Sequence, residues 1–138
     1  MPTPALHMLL IGIDTYAPKS GVPALRGCAN DVVAISDWVL AHNRDAHSVL
    51  LLNDKATKAN LVEEMSRLRE SVQEGDVVWI HYSGHGSSVP SATADSGRDE
   101  SLVLWESRTP GGSDLRDKEF GALLATIAAK GAQVIAIL

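Results

Sequence analysis

The stretch Asp76-Val77-Val78-Trp79-Ile80-His81-Tyr82-Ser83-Gly84-His85-Gly86-Ser87 decides the fold. Val77 to Ile80 are contiguous apolar residues rather than an alternation. A short run of that kind, bounded by turn residues, reads as a strand covered on both faces, as in a parallel sheet. The stretch then breaks into Ser and Gly, so a polar turn follows a buried strand.

Upstream, Leu61, Met65, Leu68 and Val72 recur at helical spacing, with Glu63, Glu64, Arg67, Arg69 and Glu70 on the wet side. Thr57 is placed to cap this helix, and Gly75 suits the left-handed position past its end. Ser48 to Leu52 reads as a strand. Before it, Val32, Ile35 and Val39 predict a helix opened by Asn30 or Asp31. His7 to Ile13 predicts the first strand, and Tyr16 to Arg26, with Pro18, Gly21 and Pro23, is loop. Downstream, Ser83 to Arg98 reads as loop and Ser101 to Trp105 as a short strand. Asp114 or Asp117 opens a helix carrying Phe120, Leu123, Leu124 and Ile127, ended by Gly131. Ala132 to Leu138 reads as a buried last strand. The order β-α-β-α-β-(excursion)-α-β predicts an α/β fold, a parallel sheet with helices on both faces. Chemistry then belongs at the carboxyl ends of the strands, near the switch in strand order.

The 138 residues fit one domain, and 45% hydrophobic content rules out a disordered chain. A net charge of −5 argues against nucleic acid. No apolar run approaches the roughly 18 residues of a membrane span. The opening Met1-Pro2-Thr3-Pro4 carries no basic leader. A single cysteine, Cys28, excludes an internal disulfide and suits a reducing, cytoplasmic setting.

His85 stands between two glycines just past a strand. Such a turn lets an imidazole exchange protons while a neighbouring N–H meets developing negative charge. A histidine in a Gly-rich turn with no chemical role has the same signature. His81 and His85 are four apart, but a strand and a turn need not converge on a metal. Gly84-x-Gly86 lacks the third glycine of a dinucleotide loop. Leu25-Arg26-Gly27-Cys28-Ala29-Asn30-Asp31 is either ordinary helix capping or a second functional segment. Cys28 itself could be a nucleophile for His85, or a small packed residue.

Three segments, Leu9 to Ile13, Leu25 to Asp31 and His81 to Ser87, resemble caspase-like cysteine peptidases, and metacaspases and orthocaspases most closely. Asp99-Glu100 and the Asp117 to Leu124 helix extend the resemblance over nearly the whole chain. It implies a caspase-like three-layer sandwich, incomplete here, with residues 1–138 as the N-terminal, large-subunit-like part of a catalytic domain. It implies His85 as the catalytic histidine and Gly86 as the oxyanion N–H. It implies Cys28, Asp31 and Ser83 as the pocket for a substrate arginine or lysine. The chemistry needs no cofactor, but the resemblance suggests calcium, held by Asp95, Asp99, Glu100 and Asp117. The family nucleophile is a cysteine after the fourth core strand. Val134 to Leu138 matches that strand, so the expectation is a missing C-terminal segment that carries the nucleophile. The competing expectation is an inactive caspase-like module that binds protein partners.

Overall fold

The computed structural model describes residues 3–138; Met1 and Pro2, the start of the segment read for a leader, lie outside the described residues. Four strands form one parallel sheet: β1 (Leu6–Gly12), β2 (His47–Leu52), β3 (Val77–Ser83) and β7 (Gln133–Ile137), in the order β2-β1-β3-β7. A second, antiparallel sheet holds β4 (Gly86–Pro90), β5 (Arg98–Leu102) and β6 (Leu115–Arg116). Three helices, α1 (Cys28–His42), α2 (Lys58–Ser71) and α3 (Asp117–Ala128), complete the elements, with a 3-10 turn at Asn53–Lys55.

The parallel sheet has helices on both faces, and β1 shows why its sequence is continuously apolar. Met8 and Leu10 pack with Val32 and Val39 of α1. The alternate residues Leu9 and Ile11 pack with Leu61, Met65 and Leu68 of α2 and with Phe120 and Ile127 of α3. Each side chain of a strand buried this way must be apolar, whichever face it points to. The helical stripe read from Leu61 to Val72 is buried as expected. Thr57 caps α2, its hydroxyl accepting from the Asn60 N–H at 3.2 Å.

Gly12 is where β1 and α1 meet. A Cβ there would lie 2.7 Å from the Cys28 carbonyl oxygen and from Val32 Cγ2. Only a residue without a side chain lets the start of α1 rest on the carboxyl end of β1.

Four local expectations change. First, α1 begins at Cys28, so Asn30 and Asp31 lie inside its first turn rather than at its cap. Gly27 takes the cap position, with φ of 102°, and Asp14 supplies the acceptor from outside the helix. Second, Ser83 to Arg98 is not all loop. β4 forms because its backbone pairs with β5, Gly86 opposite Leu102 and Pro90 opposite Arg98, which leaves no apolar pattern to read. Third, the short strand lies earlier than Ser101–Trp105, because the inward residues of β5 are the polar Asp99 and Ser101. Fourth, β7 is not buried on both faces. Val134 packs against the core beneath α2 and α3, whereas Ile135 and Ile137 on the other face are exposed. Asp117 does open α3, while Asp114 is buried under a two-pronged ion pair from Arg108.

Candidate active site

Sequence order and sheet order part company between β1 and β3. From β1 the chain crosses to β2 on one side, then returns to place β3 on the other. The loops leaving the two strands diverge there, and the crevice between them is the natural ligand site of such a sheet. Ile13 and Ser83 close it from below, the Ile13 N–H donating to the Ser83 carbonyl at 2.9 Å.

The loop after β1 is anchored by two side chains the sequence reading did not single out. The Asp14 carboxylate accepts from the Cys28 N–H at 2.8 Å and the Ala29 N–H at 3.2 Å. These are free donors at the start of α1, where a carboxylate also meets the positive end of the helix dipole. The Asn53 side-chain oxygen accepts from the backbone N–H of Asp14 at 2.8 Å and of Thr15 at 3.2 Å. Asp14 had a legible signal, an acidic residue closing a strand. Asn53 acts from the end of β2 and had none.

Four groups hold His85; one is the Val103 N–H, which donates to its carbonyl at 3.0 Å. The His85 backbone N–H donates to the Tyr16 hydroxyl at 2.8 Å. Its carbonyl lies 2.7 Å from the Tyr82 hydroxyl, which is also 2.6 Å from the Val103 carbonyl and shares its proton between them. Its ring nitrogen Nε2 is 2.8 Å from the Pro23 carbonyl. A carbonyl only accepts, so Nε2 carries the proton there, and a neutral ring keeps its lone pair on Nδ1. The Tyr16 ring lies against the imidazole, with centroids 5.3 Å apart. Burial pushes the Tyr16 and Tyr82 phenols up, so both stay protonated at neutral pH.

Gly84 lets the two phenols approach this loop. A Cβ on it would lie 2.6 Å from the Tyr82 hydroxyl oxygen and 3.0 Å from that of Tyr16. Gly86 is exposed and open around its Cα, with the Ser101 carbonyl 3.8 Å from a would-be Cβ. Together with His85, Gly86 lines a shallow cleft of about 290 Å³ whose other wall is Ser20 to Pro23.

The three residues expected to form a substrate pocket share one side of the sheet. Ser83 and His81 alternate with the inward Tyr82, so they project toward the α1 face. Cys28 and Asp31 are one turn apart at the start of α1, and Cys28 lies beside Gly12, the neighbour of Ser83 in the sheet. Burial holds the His81 ring below the usual histidine range, while the nearby Asp31 carboxylate pulls the other way.

The four carboxylates expected to hold calcium are not brought together. Asp99 and Glu100 are consecutive on β5 and point to opposite faces. The Asp99 carboxylate is paired with Lys118 Nζ at 2.8 Å and with the Arg116 guanidinium at 3.1 Å. Glu100 and Asp117 line a separate apolar groove of about 420 Å³ with Phe120, Leu124 and Leu138. Asp95 is exposed in the turn between β4 and β5. Among the described residues, no three His, Cys, Asp or Glu side chains converge as metal ligands. These side chains therefore do not fit a calcium ion. No described helix is long and apolar enough to cross a membrane.

A family model for the metacaspase, peptidase C14 domain matches residues 7–138. A metacaspase-1 of Eremothecium gossypii is 31% identical over 94% of this chain and 30% of its own length. A metacaspase-6 of Arabidopsis thaliana is 34% identical over 82% of this chain and 33% of its own. A solved protein of Geobacter sulfurreducens shares the fold of this chain. It superposes with a TM-score of 0.79 at 29% identity, over 96% of this chain and 49% of its own. The chain thus spans about a third of these curated relatives and about half of that solved protein.

Proposed function

The chain belongs to the metacaspase family of C14 peptidases, and on that premise we propose that it is the histidine-bearing part of a cysteine endopeptidase cutting after arginine or lysine. The observation that carries this reading is His85, fixed at the switch point with Nε2 on the Pro23 carbonyl and Nδ1 left to accept a proton. In the proposed reaction a cysteine thiol gives its proton to Nδ1, and the thiolate attacks the scissile carbonyl carbon. The oxygen that gains charge meets the Gly86 N–H, and the imidazolium returns its proton to the departing amine. Water then hydrolyses the thioester by the same proton path. A thiol nucleophile suits the reducing, cytoplasmic setting proposed for the chain.

We place the nucleophile beyond the carboxyl end of β7 rather than at Cys28. Strand register supports this. β7 runs parallel to β3 with Ile137 opposite His81, so a chain continued in that register passes Ser83 and Gly84 within a few residues. Cys28 instead opens α1 on the same side as Asp31, where its role is to line the pocket. Asp31 attracts a cationic substrate side chain, and Ser83 lies on the same face. Asp31 is exposed among the described residues, so its selectivity for a cation requires the bound substrate and the rest of the domain to desolvate the pair.

The test uses the full-length protein and a fluorogenic peptide ending in arginine. His85→Ala is expected to lower kcat/KM by at least about 100-fold. Asp31→Ala is expected to abolish the preference for arginine over an uncharged residue. Turnover that survives His85→Ala rejects the mechanism. A complete absence of hydrolysis by the full-length protein favours a partner-binding module instead. Loss of activity on alkylating Cys28 in these 138 residues alone moves the nucleophile to Cys28.

A further inference from the structure

The turn between β4 and β5 is tied to the start of α3 by a lysine held among oxygens. Lys118 Nζ lies 2.6 Å from Thr93 Oγ1, 2.8 Å from Asp99 Oδ1 and 3.4 Å from Ser91 Oγ. The two hydroxyls accept hydrogen bonds from the ammonium, whereas Asp99 Oδ1 meets it as an ion pair without hydrogen-bond alignment. Arg116, two residues earlier, adds a second strap. Its guanidinium donates to Asp99 Oδ2 at 3.1 Å and to the Pro90 carbonyl at 2.8 Å.

The Asp99 carboxylate is buried, and both of its oxygens face a cation from the protein. Those cations hold its pKa below the usual aspartate range, Lys118 most strongly. A calcium ion at Asp99 would have to displace the ammonium and recruit five or more further oxygens. Glu100 is on the opposite face of β5 and cannot be one of them.

We propose that Lys118, with Arg116, is the resident cation of this hairpin, so that residues 91–99 dock on α3 without calcium. The hairpin leads directly from the His85–Gly86 loop through β4, so the strap fixes the far end of the segment that carries the catalytic turn.

Hydrogen exchange of the amides of residues 91–99, followed in the full-length protein, tests it. In wild type, exchange is expected to be the same in about 1 mM Ca²⁺, the weak end of calcium-binding modules, and in chelator. Lys118→Gln is expected to speed exchange of this hairpin several-fold in both conditions, while the core strand β3 keeps its protection. Asp99→Asn is expected to do the same, since it removes the other half of the pair. Slowing of wild-type hairpin exchange by Ca²⁺ overturns the proposal. So does unchanged hairpin exchange in both variants.

Discussion

Replacing Gly84 with alanine tests whether the two phenols set the position of the histidine loop. The residue is not in the left-handed region, so alanine suits the backbone and only space decides the outcome. The new methyl would lie 2.6 Å from the Tyr82 hydroxyl, 2.9 Å from Tyr82 Cζ and 3.0 Å from the Tyr16 hydroxyl. Relief requires both rings to move, and with them the contacts to the His85 N–H, the His85 carbonyl and the Val103 carbonyl. Overpacking costs about 1–3 kcal/mol, and each weakened hydrogen bond about 0.5–1.5 kcal/mol. Alanine also reduces the freedom of the unfolded chain, which offsets about 0.4–1 kcal/mol. With each of the three bonds weakened at the low end of that range, the net expectation is a loss of about 1.5–4 kcal/mol. Urea unfolding followed by circular dichroism measures it. Gly86→Ala is the control two residues away, where a Cβ meets only the Ser101 carbonyl at an ordinary contact of 3.8 Å, and it should stay within about 0.5 kcal/mol of wild type. In a Tyr82→Phe background, which removes the nearest oxygen, the Gly84→Ala loss should shrink. Equal stabilities for the two alanine variants would refute the reasoning.

Two further perturbations probe the frame around the site. Asp14→Ala removes the acceptor for the Cys28 and Ala29 N–H groups and should cost about 0.5–2 kcal/mol by urea denaturation; no loss would mean water replaces the carboxylate. Asp76 accepts from the N–H groups of Ala5 and Gln73 and lies 3.1 Å from His7 Nε2, and the two backbone donors hold its carboxyl below the usual range. Its stabilisation is therefore complete above the ordinary aspartate pKa and lost as pH falls through the lowered one. Asp76→Asn should be less stable than wild type at pH 7, and the gap should close below about pH 4; a gap independent of pH would contradict this.

The elements most legible in the sequence were those set by burial. The runs in β1 and β3 are apolar at consecutive positions because each is covered on both faces, and the Leu61 to Val72 stripe faces one core. The elements set by polar pairing were the ones misread. β4 and β5 pair through backbone and bury Asp99 and Ser101, and neither feature leaves an apolar pattern. The start of α1 was placed late because its capping acceptor is Asp14, fourteen residues from Cys28. Local capping rules look only at the residue before the helix.

His85 and Gly86 were legible from two glycines and a histidine after a buried strand. That signal is local and needs no partner. What holds His85 was not legible. Tyr16, Pro23 and Val103 come from two other segments, and only the folded chain brings them to one histidine. The acidic residues near Asp99 show the same division. Their charge and spacing can be read from the sequence, but strand alternation sends Glu100 to the far face, and Lys118 reaches back from α3 to neutralise Asp99. Residue type and periodicity alone determined the parallel sheet, its helices and the turn that bears the histidine. Tertiary structure alone decided which backbone groups orient that histidine and which charges cancel, because contacts between distant segments exist only after the strands have paired.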